Sequence, residues 1–174
     1  GEFHALKHLL HEQRLVKSAL ELKAMREAAR ITSMAHERAM RCARPGMTET
    51  QLEAELVHEF MTNGAHTPAY PSIVGSGANA CVLHYVDNAS VLKKNDLVLI
   101  DAGCEYQHYA ADVTRTFPVS GRFSKSQQAL YEIVLEANRA GIDSCRPGAT
   151  FSDPHVAAVS VMVQGLLDLK LLQG

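Results

Sequence analysis

The chain has 174 residues, with 17 Lys plus Arg against 19 Asp plus Glu, a formal charge of −2, 47% hydrophobic residues, 4 Cys and no Trp. This is ordinary globular composition, which excludes the disordered, collagenous and disulfide-stapled classes; a chain of this size buries roughly 70% of its unfolded surface around one core. No basic run is longer than Lys93-Lys94, which argues against a nucleic-acid footprint or a polybasic membrane anchor and leaves small partners as the expectation.

Near the start, His4, His8 and His11 recur at helical spacing but meet no matching carboxylates, so a solvated face is expected rather than a ligand set. Three S/T-x-x-E/Q boxes then mark helix starts: Ser18 with Glu21, Thr48 with Gln51, and Ser124 with Gln127. After Ser18, Leu22, Met25, Ala28, Ala29, Met34 and Ala35 carry a helical pattern until Arg44-Pro45-Gly46 stops it. The next helix carries Leu52, Leu56, Phe60 and Met61, and Asn63-Gly64 caps it. From Tyr70 the texture changes: Ile73-Val74, Val82-Leu83, residues 97–100 and residues 109–117 are short apolar runs separated by Gly, Asn, Asp and Lys, and are predicted strands. Helical spacing returns with Leu130, Ile133, Val134 and Ala137, and again over about 152–169. The order predicts an α+β fold with an antiparallel or mixed sheet flanked by helices.

The apolar stretch 154–167 is shorter than the ~20 residues needed to span a bilayer and reads as a buried helix. No basic n-region with an apolar h-region opens the chain, so the cytoplasm is the expected compartment. Cys42, Cys81, Cys104 and Cys145 show no C-x-x-C spacing and are expected as small buried hydrophobes, without a zinc or disulfide role.

Arg44-Pro-Gly-Met-Thr48 recurs as Arg146-Pro-Gly-Ala-Thr150, each copy between two helices. The motif is either generic helix punctuation or the trace of a duplication, and the flanking helices favour duplication. On that reading the second copy runs out at Gly174 before any strand forms, so the sequence is expected to stop in the middle of its second half.

Asp101, in Leu97-Val-Leu-Ile-Asp101-Ala-Gly103, and Asp112, in Tyr109-Ala-Ala-Asp112-Val-Thr-Arg-Thr-Phe117, sit on two strand-like runs joined by a tight connection. A turn centred between Tyr106 and Gln107 would set Asp101 opposite Asp112 on one face, with Cβ atoms about 5 Å apart. Two carboxylates that close repel, and a pair of hard divalent cations would resolve the conflict. Two alternatives stay open: either Asp is a turn former at a strand end, or a one-residue slip in register splits the pair between faces. His84, in Ala80-Cys-Val-Leu-His-Tyr85, falls on a predicted strand, either as a satisfied polar residue or as a proton carrier beside such a centre. Gly75-Ser-Gly77-Ala-Asn-Ala80 fits G-x-G-x-x-A, but no long helix follows it, so a dinucleotide site is not expected.

Taken together, Ile73-Val-Gly-Ser-Gly-Ala-Asn-Ala-Cys-Val-Leu-His-Tyr85, Asp96-Leu-Val-Leu-Ile-Asp-Ala-Gly-Cys104 and Ala111-Asp-Val-Thr-Arg-Thr-Phe-Pro118 closely resemble the bacterial aminopeptidase P (Xaa-Pro aminopeptidase) family of pita-bread metallopeptidases. The resemblance implies a metal-dependent peptidase releasing an N-terminal residue that precedes proline, with two divalent ions, usually Mn2+. Asp101 would chelate one ion, Asp112 would bridge both, and His84 would handle protons or stabilise an oxyanion. It also implies two pseudo-symmetric halves, here about 18–120 and the start of a second at about 124–174. The family's remaining ligands, one His and two Glu, have no counterpart in this chain, nor does its N-terminal domain. The 174 residues alone are therefore expected to be inactive, and the parent to be a cytoplasmic homo-oligomer acting on peptides with proline second. A prolidase, another pita-bread metallopeptidase or a non-catalytic pita-bread binding module are the alternatives.

Overall fold

A computed structural model of the chain describes residues 6–173. His4 lies outside the described residues, while His8 and His11 are exposed on helix α1 (Leu6–Leu15). All three predicted boxes close reciprocally. The Glu21 N–H donates to Ser18 Oγ at 3.3 Å and the Ser18 N–H to Glu21 Oε2 at 2.6 Å, opening α2 (Ala19–Cys42). Thr48 and Gln51 open α3 (Glu49–Thr62) in the same way, and Ser124 and Gln127 open α4 (Lys125–Ser144). Each cap contributes about 1 kcal/mol by satisfying otherwise orphaned N–H groups. Helix α5 (Asp153–Asp168) starts with Pro154 in its first turn, where a missing N–H costs nothing.

The strands are β1 (Thr67–Pro68), β2 (Ile73–Ser76), β3 (Leu97–Ala102), β4 (Cys104–Tyr106), β5 (Tyr109–Ala110) and β6 (Val113–Pro118). Among the described residues they form two three-stranded sheets, β1-β4-β5 and β2-β3-β6, with every ladder antiparallel. Two sequence expectations are corrected. Val82-Leu83 is not a strand: a 3-10 helix (Gly77–Cys81) runs into a turn that holds His84 at φ +55°. Val82 and Leu83 are exposed there, so their β propensity finds neither a pairing partner nor a packing surface. The hairpin turn also lies one residue later than expected. Gln107 and His108 are its two central residues, both at positive φ, and Tyr106 pairs with Tyr109.

Period-2 burial then assigns the faces of β3. Val98, Ile100 and Ala102 enter the core, while Leu97, Leu99 and Asp101 lie on the other side and are only partly covered. Against the core face pack the alanine-rich stripe of α2 (Ala28, Ile31, Ala35, Ala39) and Leu52, Leu56 and Phe60 of α3. Small side chains on α2 let that helix approach the strands closely. The chain divides into two compact units with the boundary between Arg122 and Phe123, and this core belongs to the first. In the second, α4 and α5 pair across Gly165, whose absent Cβ leaves room for Ile133. Of the four cysteines only Cys104 is buried; Cys42 is half-buried, and Cys81 and Cys145 are exposed, contrary to the expectation of four small core residues. Among the described residues no helix is long and apolar enough to cross a membrane.

Candidate active site

All three strands of the hairpin layer are interrupted at one level, and the predicted site residues stand at that break. Gly103 separates β3 from β4, and Ala111-Asp112 separate β5 from β6. The third interruption lies between β1 and β2. The Ala69 N–H still donates to Gly103 O at 2.9 Å, yet the ladder resumes only at Ile73 opposite Asp101, so Tyr70, Pro71 and Ser72 stand opposite Ala102 alone. Such a bulge re-aims its side chains. Gly103 is required by close approach: a Cβ there would lie 1.8 Å from Ala111 O.

The backbone groups freed at the break are claimed by α2. The Cys104 N–H donates to Thr32 Oγ1 at 3.1 Å, and His36 Nε2 lies 3.1 Å from Ala102 O, which assigns the proton to Nε2. His36 Nδ1 is then buried without a hydrogen-bond partner among the described residues. Burial pushes the His36 pKa below its ordinary value despite the carbonyl bond, so the imidazole stays neutral behind the site.

The register places Asp101 opposite Thr114, not opposite Asp112 as the earlier turn position required. Asp112 lies two residues before Thr114, so it projects to the same face as a diagonal neighbour. An error of one residue in the turn centre moves every pair by two, and an even shift preserves the face. Tyr70 closes the arrangement. Its phenol oxygen lies 2.6 Å from Asp101 Oδ1 and 2.9 Å from Asp112 Oδ1, so one hydroxyl serves two carboxylates. Burial, and then the bonds to Asp101 and Asp112, push the Tyr70 pKa far above the phenolic range, so Tyr70 stays a donor. No basic side chain pairs with either carboxylate among the described residues.

A cleft of about 380 Å³ is lined by Tyr70, Pro71, Ile73, His84, Val86, Asp101 and Asp112. The three residues singled out in the sequence are thus brought to one cavity, with His84 exposed on a turn rather than a strand. Tyr70 was not legible in the sequence as a site residue; only its place just before the strand region hinted at it. Two carboxylates with no cation and one shared donor have the chemistry of hard-metal ligands. Among the described residues no group of three or more His, Cys, Asp or Glu converges to hold a metal ion, so this pair fits as part of a ligand set rather than as a closed one.

Paired hard oxygen donors in an open cleft are a kind of partial ligand set that metal-dependent hydrolases use. The chain belongs to metallopeptidase family M24, whose family model matches residues 23–171. It is 49% identical over 166 residues to the Xaa-Pro aminopeptidase of Escherichia coli (strain K12), a match covering 95% of this chain and 38% of that protein. Among solved structures it is similar to Pseudomonas aeruginosa aminopeptidase PepP, with TM-score 0.98 and 56% identity over 100% of this chain and 39% of the other. It is also similar to zinc-substituted E. coli aminopeptidase P in complex with product, with TM-score 0.93 and 49% identity over 95% and 38% of the two chains. The fold is the pita-bread α+β architecture of these relatives, and the chain spans about 38% of the length of the curated E. coli relative.

Proposed function

We propose that these 174 residues supply part of the active site of a manganese-dependent Xaa-Pro aminopeptidase. The single observation that carries this reading is the pair Asp101 and Asp112 under one Tyr70 hydroxyl, in a cleft that His84 also lines. Similarity to Xaa-Pro aminopeptidases supports the substrate class, peptides with proline at the second position. In this reading Asp101 would help to hold one ion and Asp112 would contribute to both, their carboxylates supplying hard oxygen donors. Bound there, the ions supply an acidified water and a polarised carbonyl. Tyr70 keeps its proton and orients both carboxylates from one side. His84, at the cleft wall, exchanges a proton at a ring nitrogen with the reacting peptide group or steadies the charge that develops there.

The same reading takes residues 18–120 and 124–174 as parts of two pseudo-symmetric halves of one catalytic domain. The turns at the two R-P-G-x-T copies support it: Gly46 and Gly148 stand at φ +92° and +91°, and Arg44 O and Arg146 O accept from Met47 N and Ala149 N. It further takes the full-length protein as a cytoplasmic homo-oligomer. The 174 residues alone would be inactive and hold manganese weakly, since the two carboxylates repel and among the described residues no third His, Cys, Asp or Glu converges with them.

The test is to assay the full-length protein on Arg-Pro-Pro and on Met-Ala peptides, with and without chelator. Cleavage confined to the proline peptide and abolished by chelator is expected; equal cleavage of both, or indifference to chelator, overturns the assignment. Metal content separates the aspartates. Asp112→Asn should lose both ions and Asp101→Asn one, and the reverse pattern exchanges their roles.

A further inference from the structure

His84 stands in a segment that has almost no apolar anchorage of its own. Val82 is 54% and Leu83 87% exposed, and His84 itself takes a left-handed backbone, φ +55°, that a non-glycine residue keeps only when its surroundings impose it. The contacts that tie this segment to the rest of the fold are polar.

Glu49, the first residue of α3, is 0% exposed. Its Oε1 accepts from the Ser76 N–H at 2.7 Å, Ser76 Oγ at 2.8 Å and Asn79 Nδ2 at 3.2 Å. Its Oε2 accepts from Tyr85 Oη at 2.8 Å and the Ser90 N–H at 2.9 Å. No basic side chain pairs with it among the described residues. Its own N–H donates to Ser90 O at 2.9 Å. Both ends of residues 76–90, and Tyr85 next to His84, are therefore tied to one carboxylate. Asn88 supplies a second tie: its side chain accepts from the Val74 N–H and donates to Ser72 O and Glu53 Oε2, while its carbonyl accepts from Thr50 Oγ1. Burial raises the Glu49 pKa, and the bonds from Ser90, Tyr85 and Ser76 outweigh it, so the group stays ionised below its ordinary range. The start of α3 adds its dipole to the same end.

We propose that Glu49 is a positioning residue for His84: its buried carboxylate fastens residues 76–90 to the first turn of α3 and so holds the imidazole at the wall of the Asp101/Asp112 cleft. The inference rests on the proton-handling role given to His84 under the proposed function. A carboxylate suits this task because all of its lone pairs accept, whereas an amide in its place turns a donor toward one of the two donor groups.

The test compares Glu49→Gln, Tyr85→Phe and His84→Ala in the full-length protein by amide hydrogen exchange without metal, and by kcat and KM with manganese. Glu49→Gln should speed exchange across residues 76–90 by about tenfold or more while α2 and β3 keep their protection. Its kcat should fall with KM little changed. Tyr85→Phe, which leaves the carboxylate and removes one of its donors together with the acceptor for Asn79 Nδ2 and the Ala89 N–H, should do the same to a smaller extent and guards against a Glu49→Gln variant that fails to fold. Unchanged exchange over 76–90 in Glu49→Gln, or in Tyr85→Phe should Glu49→Gln not fold, overturns the inference. So does a loosened segment with full kcat when His84→Ala is inactive. A loosened segment with His84→Ala fully active instead overturns the role of His84 and still supports the tie to Glu49.

Discussion

At Glu49 five donors converge on one buried carboxylate, whereas at the cleft two carboxylates share the single hydroxyl of Tyr70. Both places lie in the first unit, and no ion pair steadies either among the described residues. The difference is in what each is built to be completed by. Glu49 has its bonding capacity filled by the chain itself, and such a group fixes a backbone. Asp101 and Asp112 share one hydroxyl between them, which leaves acceptor capacity for the ions proposed to bind there.

The cleft is most easily disrupted at Gly103. A methyl group there would meet Ala111 O at 1.8 Å and push the Asp112 segment away from Asp101. Gly103→Ala should cost about 4 kcal/mol or more, read by urea titration of dilute chain. Glu49→Ala should come next, at about 3 kcal/mol, because it strands the buried Ser76 N–H and hydroxyl together with the donors of Asn79, Tyr85 and Ser90. A loss below about 1 kcal/mol would show that water replaces the carboxylate and that the two sites are not opposites. By contrast, Asp112→Asn without metal should shift stability by no more than about 1 kcal/mol and toward the folded state, because it relieves repulsion between an exposed carboxylate and a partly covered one. A large destabilisation would mean that this carboxylate is structural after all.

The smallest effect sharpens the contrast by pH. The Glu49 pKa is lower in the folded chain than its ordinary 4.5. Its stabilising contribution is therefore complete above 4.5 and is lost as pH falls through the lower folded value. The stability gap between the unaltered chain and Glu49→Gln should stay constant from neutrality to about 4.5 and narrow below it. A gap that narrows at higher pH would place the relevant titration elsewhere, with His36 the first group to examine.

How far the sequence carries these features depends on how local their causes are. The caps at Ser18, Thr48 and Ser124 were legible because all the atoms involved lie within four residues. Asp101 and Asp112 were legible as same-face partners because side-chain alternation survives an even error in register. The register itself was not, since Gln107-His108 turns with both residues at positive φ without the Asn-Gly or Asp-Gly signal of such turns. Glu49 was invisible for a different reason. An acidic residue just after a Thr N-cap reads as a solvated partner of the helix dipole, and the donors that bury it come from residues 76–90. The same distant contacts explain why Val82-Leu83 looks like a strand and is a turn.

The common register of the two hairpin ladders has a kinetic consequence. Tyr106 pairs with Tyr109, Glu105 with Ala110, Ala102 with Val113 and so on to Leu97 with Pro118, one continuous zipper that runs through the break without slipping. The Gln107-His108 turn therefore sets the relation of Asp101 and Asp112 through the shortest loop available, with neither α2 nor β2 needed to fix the register. Hairpins close in about 1–10 μs, and contacts of low sequence separation carry the least loop entropy. The relation of the two carboxylates thus depends on the shortest loop closure in either sheet, while the placement of His84 depends on the long-range closure of residues 76–90 onto α3.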